Sequence, residues 1–536
     1  MIGFASLENT LGVSPFLLAA RLAALAEAER DGTPRMDYSL KHLLGGTTVL
    51  AWRSPAGQQG ERPVTALVTD SRRVVPGALF FAIEGARVSG SEFIEEAIGR
   101  GAVAVVTTRA PGRFSPVTWA QVPDVRLALA DVARRFYRDP DEALFLAGVT
   151  GTNGKTTVAM MTQFLLKEPE SPCGLIGTVR YEIGRRSLPS YKTTPESVDL
   201  FALFDQMRDA GCTACAMEVS SHALSQARVQ GVKFDAVAFT NLTQDHLDYH
   251  GTLEEYFNAK ARLFNGESGS KPSVAVINID DPYGRVLVER VPAGVEVVTV
   301  GFSASAKLRA VNAVLSPGGS SCDVIWDGGR ATLRLGLPGR YNILNALCAL
   351  GLARAAGRRL EVLTPRLAEF PGVPGRMEKI TAGQSFQVLV DYAHTDDALN
   401  HALSMLRDVC AGRLLVVFGC GGNRDRAKRP RMTAAVQRWA DFAWATADNP
   451  RKEPLTQIFD DMRTGVTAPT RLRFVEDRRR AIALALEAAQ PGDCVLIAGK
   501  GHETYQEFAD TVVPFDDRQV ARELLQLRQV QPPTAS

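Results

Sequence analysis

The segment with the clearest chemical potential is a glycine-rich stretch that ends in a lysine and two threonines. From Gly148 it reads Gly-Val-Thr-Gly-Thr-Asn-Gly-Lys-Thr-Thr, and it follows an apolar run. Between a strand and a helix, such glycines let backbone N–H groups converge on a phosphate, and the helix N-terminus adds positive potential. Lys155 is therefore predicted to reach the outer phosphates of a nucleotide, and the Thr156 hydroxyl is predicted to ligate Mg²⁺.

The spacing of this phosphate loop is unusual. Five residues, rather than the common four, separate Gly148 from Gly154. A glycine-rich turn that binds nothing is the alternative interpretation. The Gly-Lys-Thr-Thr ending, placed directly after a strand, favours a nucleotide site.

Polar side chains also follow two other apolar runs. Glu218 lies near the end of Ala214–Val219, and a segment with two histidines and two aspartates, from Asp245 to His250, follows Ala236–Thr240. Open α/β sheets bind ligands at the carboxyl ends of their strands, so these groups are expected beside the phosphate loop. Glu218 is predicted to hold Mg²⁺ through oxygen, with an ordinary surface glutamate as the alternative.

Strands and helices that position these residues alternate along most of the chain. Short apolar runs separated by helical patterns predict parallel α/β sheets. A Gly/Pro-rich break, Phe370 to Gly375, divides the later runs into two groups. The predicted strands are Val64–Asp70, Ala78–Ile83, Ala102–Thr107, Leu144–Val149, Ala214–Val219, Ala236–Thr240, Val274–Ile277, Gln387–Asp391, Leu414–Phe418, Phe442–Thr446 and Cys494–Ala498, with helices over Ser91–Arg100 and Asp477–Ala489.

The 536-residue length suggests about three domains. We predict an extension over 1–35 with a helix over Pro15–Glu29, a small α/β domain over 36–140, a central phosphate-loop domain with a doubly wound sheet over 141–370, and a Rossmann-like α/β domain over 371–536. An appendage and a misplaced start site both remain open for residues 1–35.

Bulk composition narrows the classes of function. The 61 basic and 59 acidic residues give a net charge of +2, which offers no argument for nucleic acid binding. No apolar run is long enough for a membrane span and no signal peptide is evident, so we expect a cytoplasmic protein without membrane insertion. The eight scattered cysteines, including the single Cys212-x-x-Cys215 pair, are expected to be buried free thiols rather than a metal or redox site.

The Gly-Thr-Asn-Gly-Lys-Thr-Thr sequence resembles the phosphate loop of the Mur ligases and their relatives, the folylpolyglutamate synthetases. The segment Asn241-Leu-Thr-Gln-Asp-His-Leu-Asp-Tyr-His250 is similar to another motif of that family. The resemblance implies that His246 is a second-metal ligand and that Lys260, by itself an ordinary solvated lysine, is carbamylated and helps to bind a metal. It also implies ATP binding by Gly151, Thr152, Asn153, Gly154, Lys155, Thr156 and Thr157.

Other segments match the same family. By resemblance, Asn345 reads adenine, Arg376 reaches the phosphates when the third domain closes, and Asp391 accepts from the ribose hydroxyls. The family usually has proline where this chain has Asp396. The resemblance assigns contacts with the sugar-nucleotide peptide substrate to Ser71, Thr193, Thr194, Ser220, Gln226 and Arg228.

The choice of amino acid is predicted to lie in the third domain. Asp448-Asn449-Pro450-Arg451 resembles the signature of family members that add diaminopimelate, whose far carboxylate suits the planar, two-pronged guanidinium of Arg451. Asp448 and Glu503 are expected to accept from the far ammonium. Family matches add Arg424 and Gly499 to this pocket, while Asn423 replaces a common aspartate.

The resemblance implies an ATP- and Mg²⁺-dependent ligase that acts through an acyl phosphate. Its implied partners are ATP, UDP-N-acetylmuramoyl-L-Ala-D-Glu and meso-diaminopimelate, and a monomer is expected. Lys155, Glu218, His246 and Lys260 are the predicted catalytic residues, and Thr156, Glu218, His246 and carbamylated Lys260 the predicted metal ligands. Alternatives are a lysine-adding relative, a folylpolyglutamate synthetase, a phosphate-loop hydrolase that switches or pumps, and an inactive paralogue that serves as a scaffold.

Overall fold

A computed structural model describes residues 38–55, 62–85, 88–110 and 115–530. The predicted helix Pro15–Glu29, like the whole of segment 1–35, lies outside these ranges. The described chain forms three successive α/β units, each built on its own main sheet. The predicted α/β class with three domains is therefore confirmed, whereas the exact domain boundaries stay a prediction.

The first sheet has five strands in the order β1-β5-β4-β3-β2, and only β1 is antiparallel to its neighbour. The predicted strand Val64–Asp70 is shorter than expected, because Asp70 leaves the sheet and caps a 3-10 turn over Ser71–Arg73. The predicted helix Ser91–Arg100 also begins with a 3-10 turn, over Gly90–Phe93. The elements are α1 Leu40–Leu43, β1 Ala51–Arg53, β2 Ala66–Val68, β3 Ala78–Phe81, α2 Ile94–Gly99, β4 Ala104–Thr107, β5 Thr118–Gln121 and α3 Val125–Phe136.

The central sheet has eleven strands in the order β16-β15-β14-β13-β12-β11-β6-β10-β7-β8-β9. Its middle is parallel, and antiparallel strands extend it at both edges. The elements are β6 Phe145–Thr150, α4 Lys155–Leu166, β7 Cys173–Ile176, β8 Arg180–Ile183, β9 Arg186–Pro189, α5 Ser197–Asp209, β10 Ala214–Glu218, α6 Ser221–Ser225, β11 Ala236–Phe239, α7 Leu247–His250, α8 Leu253–Asn265, β12 Val274–Asn278, α9 Pro282–Arg290, β13 Glu296–Gly301, β14 Leu308–Ser316, β15 Gly319–Trp326, β16 Gly329–Leu335, α10 Arg340–Ala355 and α11 Leu360–Arg366.

Helices cover both faces of this sheet, as a doubly wound arrangement requires. Val237 and Phe239 belong to a core shared with α5 and α8, whereas Ala236 and Ala238 belong to a core shared with α4 and α10. This alternation follows from the two-residue period of a strand. Because the middle strands are buried on both sides, they read as continuous apolar runs in the sequence.

The third unit has six strands in the order β17-β18-β22-β19-β20-β21, with only β17 antiparallel. A separate hairpin, β23–β24, follows β22. The elements are β17 Glu378–Lys379, β18 Gln387–Asp391, α12 Asp396–Val409, β19 Leu414–Cys420, α13 Lys428–Trp439, β20 Phe442–Ala447, α14 Leu455–Arg463, β21 Leu472–Phe474, α15 Arg478–Ala488, β22 Cys494–Ala498, β23 Tyr505–Phe508, β24 Thr511–Pro514 and α16 Asp517–Val530.

Candidate active site

The phosphate loop connects β6 to the first residue of α4, Lys155. Gly151 has φ +147°, and a Cβ there would lie 1.9 Å from Thr240 Oγ1. Gly154 has φ +87°, and a Cβ there would lie 2.3 Å from Asn345 Oδ1. The two glycines are therefore required by backbone conformation and by close neighbours, which leaves the helix N-terminus open to an anion.

Lys155 folds back over this loop. Its Nζ donates to the carbonyl oxygens of Gly151 and Thr152, each at 2.9 Å. Burial lowers the pKa of Lys155, while the charge of Glu218 works in the opposite direction. The amine is thus held where it would contact phosphate oxygens bound at the N-terminus of α4.

Glu218 ends β10 directly beside the phosphate loop and is only 1% exposed, which excludes the surface-glutamate alternative. Its Oε2 accepts from Thr156 Oγ1 at 3.0 Å and from Thr178 Oγ1 at 3.1 Å. Its Oε1 accepts from the backbone N–H of Thr178 at 2.7 Å. A buried carboxylate next to a threonine hydroxyl forms a hard oxygen donor pair, which fits Mg²⁺.

Lys260 is buried on α8 rather than solvated, with 1% exposure. Its Nζ donates to Gly151 O at 2.8 Å and lies 4.4 Å from the centroid of the Tyr256 ring. Burial lowers its pKa well below the ordinary value, and the charge of Lys155 lowers it further. Burial thus favours the uncharged form of the amine, which is the form that reacts with carbon dioxide.

Three histidines pack together beside Tyr256, the ring that Lys260 contacts. The His222 ring lies 4.8 Å from the His246 ring and 5.5 Å from the His250 ring, and Tyr256 contacts both His246 and His250. Burial lowers the pKa values of His246 and His250 to about 4, so both are neutral near pH 7. A neutral imidazole is the form that binds a metal.

No three His, Cys, Asp or Glu side chains converge into a metal site within the described ranges. The predicted ligands instead form two pairs: Thr156 donates a hydrogen bond to Glu218, and His246 and Lys260 both contact the ring of Tyr256. Each pair fits a site that substrate phosphates complete, because Mg²⁺ is usually bound by few protein groups together with phosphate oxygens.

Asn241 fixes the shape of the phosphate loop from the neighbouring strand end. Its Oδ1 accepts from Asn153 N at 3.0 Å and its Nδ2 donates to Asn153 O at 3.2 Å. Thr243, two residues on, donates through Oγ1 to Asp397 Oδ2 at 2.8 Å. This last bond joins the central sheet's loop to the first turn of α12 in the third unit, so the two units meet at the nucleotide site.

The predicted adenine and ribose residues also lie at this junction. Asn345 is buried on α10 against Gly154, and its Nδ2 donates to Asn342 Oδ1 at 3.2 Å. Asp391 accepts from the backbone N–H groups of Met377 and Ala393 at 2.8 and 2.9 Å. Burial raises the pKa of Asp391, and the nearby Arg376 guanidinium opposes that effect.

The predicted substrate residues of the central unit form one connected group. Thr194 Oγ1 donates to Glu218 O at 2.9 Å, which ties this loop to the backbone of Glu218. Arg228 donates to Thr194 O at 3.0 Å and pairs with Glu196 at 3.0 Å. Further bonds run from Arg228 to Gln226, from Ser220 N to Thr194 Oγ1, and between the hydroxyls of Thr193 and Thr178.

Ser71, the predicted nucleotide contact of the first unit, is buried and donates to Glu96 Oε2 at 2.8 Å. No hydrogen bond or ion pair in the described residues links it directly to the phosphate-loop group. Its position on the 3-10 turn after β2 is fixed by Asp70, which caps that turn through Arg72 N at 3.0 Å.

The predicted amino-acid residues converge around the ends of β20 and β22. Lys500 Nζ, fully buried, donates to Asn449 Oδ1 at 3.1 Å and to Glu503 Oε2 at 3.0 Å. Asp448 Oδ2 lies 2.7 Å from where a Cβ on Gly499 would stand, so a side chain at Gly499 would collide with it. Arg451, at φ +54°, pairs through Nε with Glu507 at 2.9 Å and donates through Nη1 to Gly422 O at 3.0 Å.

Two loops border this pocket. Pro450 and Gly422 are in close contact, since a Cβ on Gly422 would lie 1.8 Å from Pro450 O. Arg424 lies on the same glycine-rich loop, and its Cγ is 3.6 Å from where a Cβ on Gly421 would stand. Glu453 accepts from Asn423 N at 2.8 Å and so connects the two loops.

The comparisons with known proteins agree with this architecture. Three family models match in order: the Mur ligase family catalytic domain over 63–137, the Mur ligase middle domain over 149–353 and the Mur ligase glutamate ligase domain over 375–501. A curated relative from Solibacter usitatus is 44% identical over 88% of this chain and 96% of its own length. This chain belongs to the Mur ligase family, whose members are ATP-dependent, amide-bond-forming ligases.

The Solibacter relative is a UDP-N-acetylmuramoyl-L-alanyl-D-glutamate–2,6-diaminopimelate ligase. A solved structure of a ligase with that same name matches with a TM-score of 0.67 and 34% identity, and covers 92% of this chain and all of the other. A MurF ligase from Thermotoga maritima, solved in complex with ADP, shares the fold at 19% identity and a TM-score of 0.57, over 87% of this chain and 98% of its own.

Two further observations concern the helices and the cysteines. Within the described residues, no helix is both long and apolar enough to cross a membrane. All eight cysteines are buried and unpaired, so the prediction of free thiols is confirmed.

Proposed function

We propose that this ligase joins meso-diaminopimelate to the D-glutamate of UDP-N-acetylmuramoyl-L-Ala-D-Glu, with ATP as the energy source, in peptidoglycan precursor synthesis. The observation that carries the proposal is the pocket of Asp448, Asn449, Arg451 and Glu503, in a chain that also has a complete phosphate loop. The names of the Solibacter relative and of the similar solved structure support it.

The first step is transfer of the γ-phosphoryl group of ATP. A carboxylate oxygen of D-glutamate attacks the γ-phosphorus, the bond to the β,γ-bridging oxygen breaks, and ADP leaves behind an acyl phosphate. Lys155 and the N-terminus of α4 neutralise the negative charge of the phosphates, and Arg376 adds a cation from the third unit. Thr156 and Glu218 would hold Mg²⁺, as would His246 and carbamylated Lys260, and the metal would further neutralise the phosphate charge.

Lys260 is suited to the carbamylation that the family resemblance implies. Its neutral amine attacks carbon dioxide, and loss of a proton leaves a carbamate anion. The modification turns a buried amine into an oxygen donor next to the neutral imidazole of His246. Such a donor suits Mg²⁺ better than an amine does.

The second step is attack by the amine of diaminopimelate on the acyl phosphate, which releases phosphate and forms the amide. Arg451 orients the far carboxylate of the amino acid with its Nη2 group, which donates to no other residue in the described ranges. Glu503 Oε1, which accepts no hydrogen bond from described residues, and Asp448 receive the far ammonium. Positioning rather than covalent catalysis accounts for the rate.

We further propose that the enzyme acts as a monomer in the cytoplasm, where its nucleotide substrates are made, and that it thereby contributes to cell shape and division. Residues Ser71, Thr193, Thr194, Ser220, Gln226 and Arg228 bind the sugar-nucleotide peptide in this proposal. Gly151, Asn153, Thr157, Asn345 and Asp391 complete the ATP site.

The test is a reconstituted reaction with ATP, Mg²⁺, UDP-N-acetylmuramoyl-L-Ala-D-Glu and meso-diaminopimelate. Mass spectrometry should detect the tripeptide product in an amount equal to the ADP formed, and omission of either acceptor or amine should prevent product formation. If ATP is hydrolysed as fast in the absence of the nucleotide substrate and the amine as in their presence, the protein is instead a hydrolase.

A further inference from the structure

The Arg376 side chain is held in an unusual way. In the described part of the chain it makes neither a hydrogen bond nor an ion pair, and its Nε is buried without a partner. Its guanidinium instead lies over the ring of Tyr392, with Cζ 4.6 Å from the ring centroid. The charge is close enough to Lys155 to lower the pKa of that amine. Arg376 therefore rests on an aromatic platform that leaves its N–H groups free for a ligand.

The Tyr392 ring is fixed in turn by two histidines. The His394 ring lies 4.6 Å away at an interplanar angle of 63°, and the His502 ring lies 5.2 Å away at 40°. Burial lowers the pKa of His502 to about 4, so its ring is uncharged near pH 7 and does not repel Arg376. Burial also raises the pKa of Tyr392 to about 12, which keeps it a neutral phenol.

Backbone contacts reinforce this arrangement. Gly375, which precedes Arg376, has φ +65°, and a Cβ there would lie 2.1 Å from Gly501 C and from His502 N. Gly501 has φ +54°, and a Cβ there would lie 2.7 Å from Tyr392 Cβ. The segment that carries Arg376 is thus in direct contact with the Gly499–Glu503 loop of the amino-acid pocket.

We propose that Tyr392, supported by His502, is a positioning residue that holds the Arg376 guanidinium for the ATP phosphates. The inference rests on the proposed function, since it assumes that Arg376 meets those phosphates. The attraction between a cation and an aromatic face is worth enough to change affinity about tenfold when the site is partly desolvated. Because His502 belongs to the Gly499–Glu503 loop of the amino-acid pocket, the position of Arg376 also depends on the conformation of that loop.

The test compares Tyr392→Leu, which removes the ring, with Tyr392→Phe, which keeps it, in full-length protein. We expect Tyr392→Leu to raise the KM for ATP about tenfold, whereas Tyr392→Phe should stay within about threefold of wild type. His502→Ala should raise the KM for ATP in the same direction by a smaller factor. Circular dichroism of each variant reports whether the fold is intact.

A double-variant cycle separates positioning from general destabilisation. If Tyr392 acts through Arg376, Tyr392→Leu should cause no further loss in an Arg376→Ala background. The inference would be overturned if the increases in KM for ATP caused by Tyr392→Leu and Arg376→Ala multiplied in the double variant. Equal KM values for Tyr392→Leu and Tyr392→Phe would also overturn it. If Arg376→Ala has the same KM for ATP as the wild-type enzyme, Arg376 does not bind the phosphates and the inference is wrong. The proposed function is tested separately, by whether the wild-type enzyme turns over diaminopimelate.

Discussion

Lys155 and Lys260 donate to the same acceptor, the carbonyl oxygen of Gly151, at 2.9 and 2.8 Å. Burial lowers the pKa values of both amines, and the positive charge of Lys155 lowers that of Lys260 further. Polyphosphate binding would place negative charge next to Lys155 and so favour the protonated form of its amine. Carbamylation would convert Lys260 into an anion.

Lys155→Ala should abolish most turnover, because it removes the amine nearest the transferred phosphoryl group. Loss of one such stabilising group lowers kcat by about 10²- to 10³-fold. Phosphate release under saturating substrates measures the effect. Lys271→Ala, at an exposed lysine, is the matched control and should behave as wild type. A Lys155→Ala enzyme with more than a tenth of wild-type kcat would contradict the assignment.

Carbamylation of Lys260 should be visible by ¹³C NMR after exchange with ¹³C-bicarbonate. Wild-type protein should show a carbamate resonance that Lys260→Ala lacks and Lys271→Ala retains. The same Lys260→Ala variant should lose turnover, because it removes an oxygen donor beside His246. A resonance that persists in Lys260→Ala would show that another amine carries the modification.

The bond between Thr243 and Asp397 should hold the third unit against the nucleotide site. Asp397→Ala removes a charged acceptor on the first turn of α12, and we expect the KM for ATP to rise about tenfold. Thr243→Val should act in the same direction, and the double variant should be no worse than Asp397→Ala. Asp460→Ala, at an exposed aspartate, serves as control. Additive effects would mean that the two residues act separately.

The loops of the amino-acid pocket depend on the buried Arg429, which pairs with Glu453 and Asp461 at 2.7 and 2.8 Å. Hydrogen bonds from Arg429 lower the pKa of Glu453 to about 2, and those from Arg426 and Arg429 lower that of Asp461 to about 2. Both folded-state pKa values lie below the unfolded ones. Their stabilising contribution is therefore complete above about pH 5 and is lost as the pH falls toward about 2.

Urea unfolding across this pH window tests that contribution. Arg429→Met should lower the free energy of unfolding by about 3 kcal/mol at pH 7, because it leaves Glu453 without its ion-pair partner and Asp461 with Arg426 alone. Below pH 5, the free energy of unfolding of Arg429→Met should also decrease less steeply with falling pH than that of the wild-type protein. Parallel pH profiles for the two proteins would show that the cluster does not govern acid stability.

Much of the fold was predictable, because the middle strands are buried on both faces and read as apolar runs. Gln387–Asp391 and Cys494–Ala498 were predicted with the observed ends. The antiparallel extension β14–β16 was not predicted, because its strands alternate buried and partly exposed residues instead of forming apolar runs, although Ser-Pro-Gly-Gly from Ser316 and Asp-Gly-Gly from Asp327 mark its two turns.

The site was predictable where a motif is local, and less so where contacts join distant segments. The phosphate loop and Glu218 were found from the strand ends that they follow. Thr178 and Asp397 were missed, because each is recognisable only by a partner far along the chain. The burial of Lys260 could have been inferred from Tyr256, Phe257 and Phe264, whose helical spacing indicates the buried face of α8.

The measurement that tests the central claim most directly is the rate of phosphate release with ATP, Mg²⁺ and UDP-N-acetylmuramoyl-L-Ala-D-Glu, with either meso-diaminopimelate or L-lysine as the amine. We expect turnover with diaminopimelate and little with lysine. Arg451→Ala should lower kcat/KM for diaminopimelate about 100-fold, while the exposed Arg473→Ala should leave it unchanged. Preferential turnover of lysine, or an Arg451→Ala enzyme that still discriminates as wild type does, would contradict the role of Arg451 in choosing the amino acid.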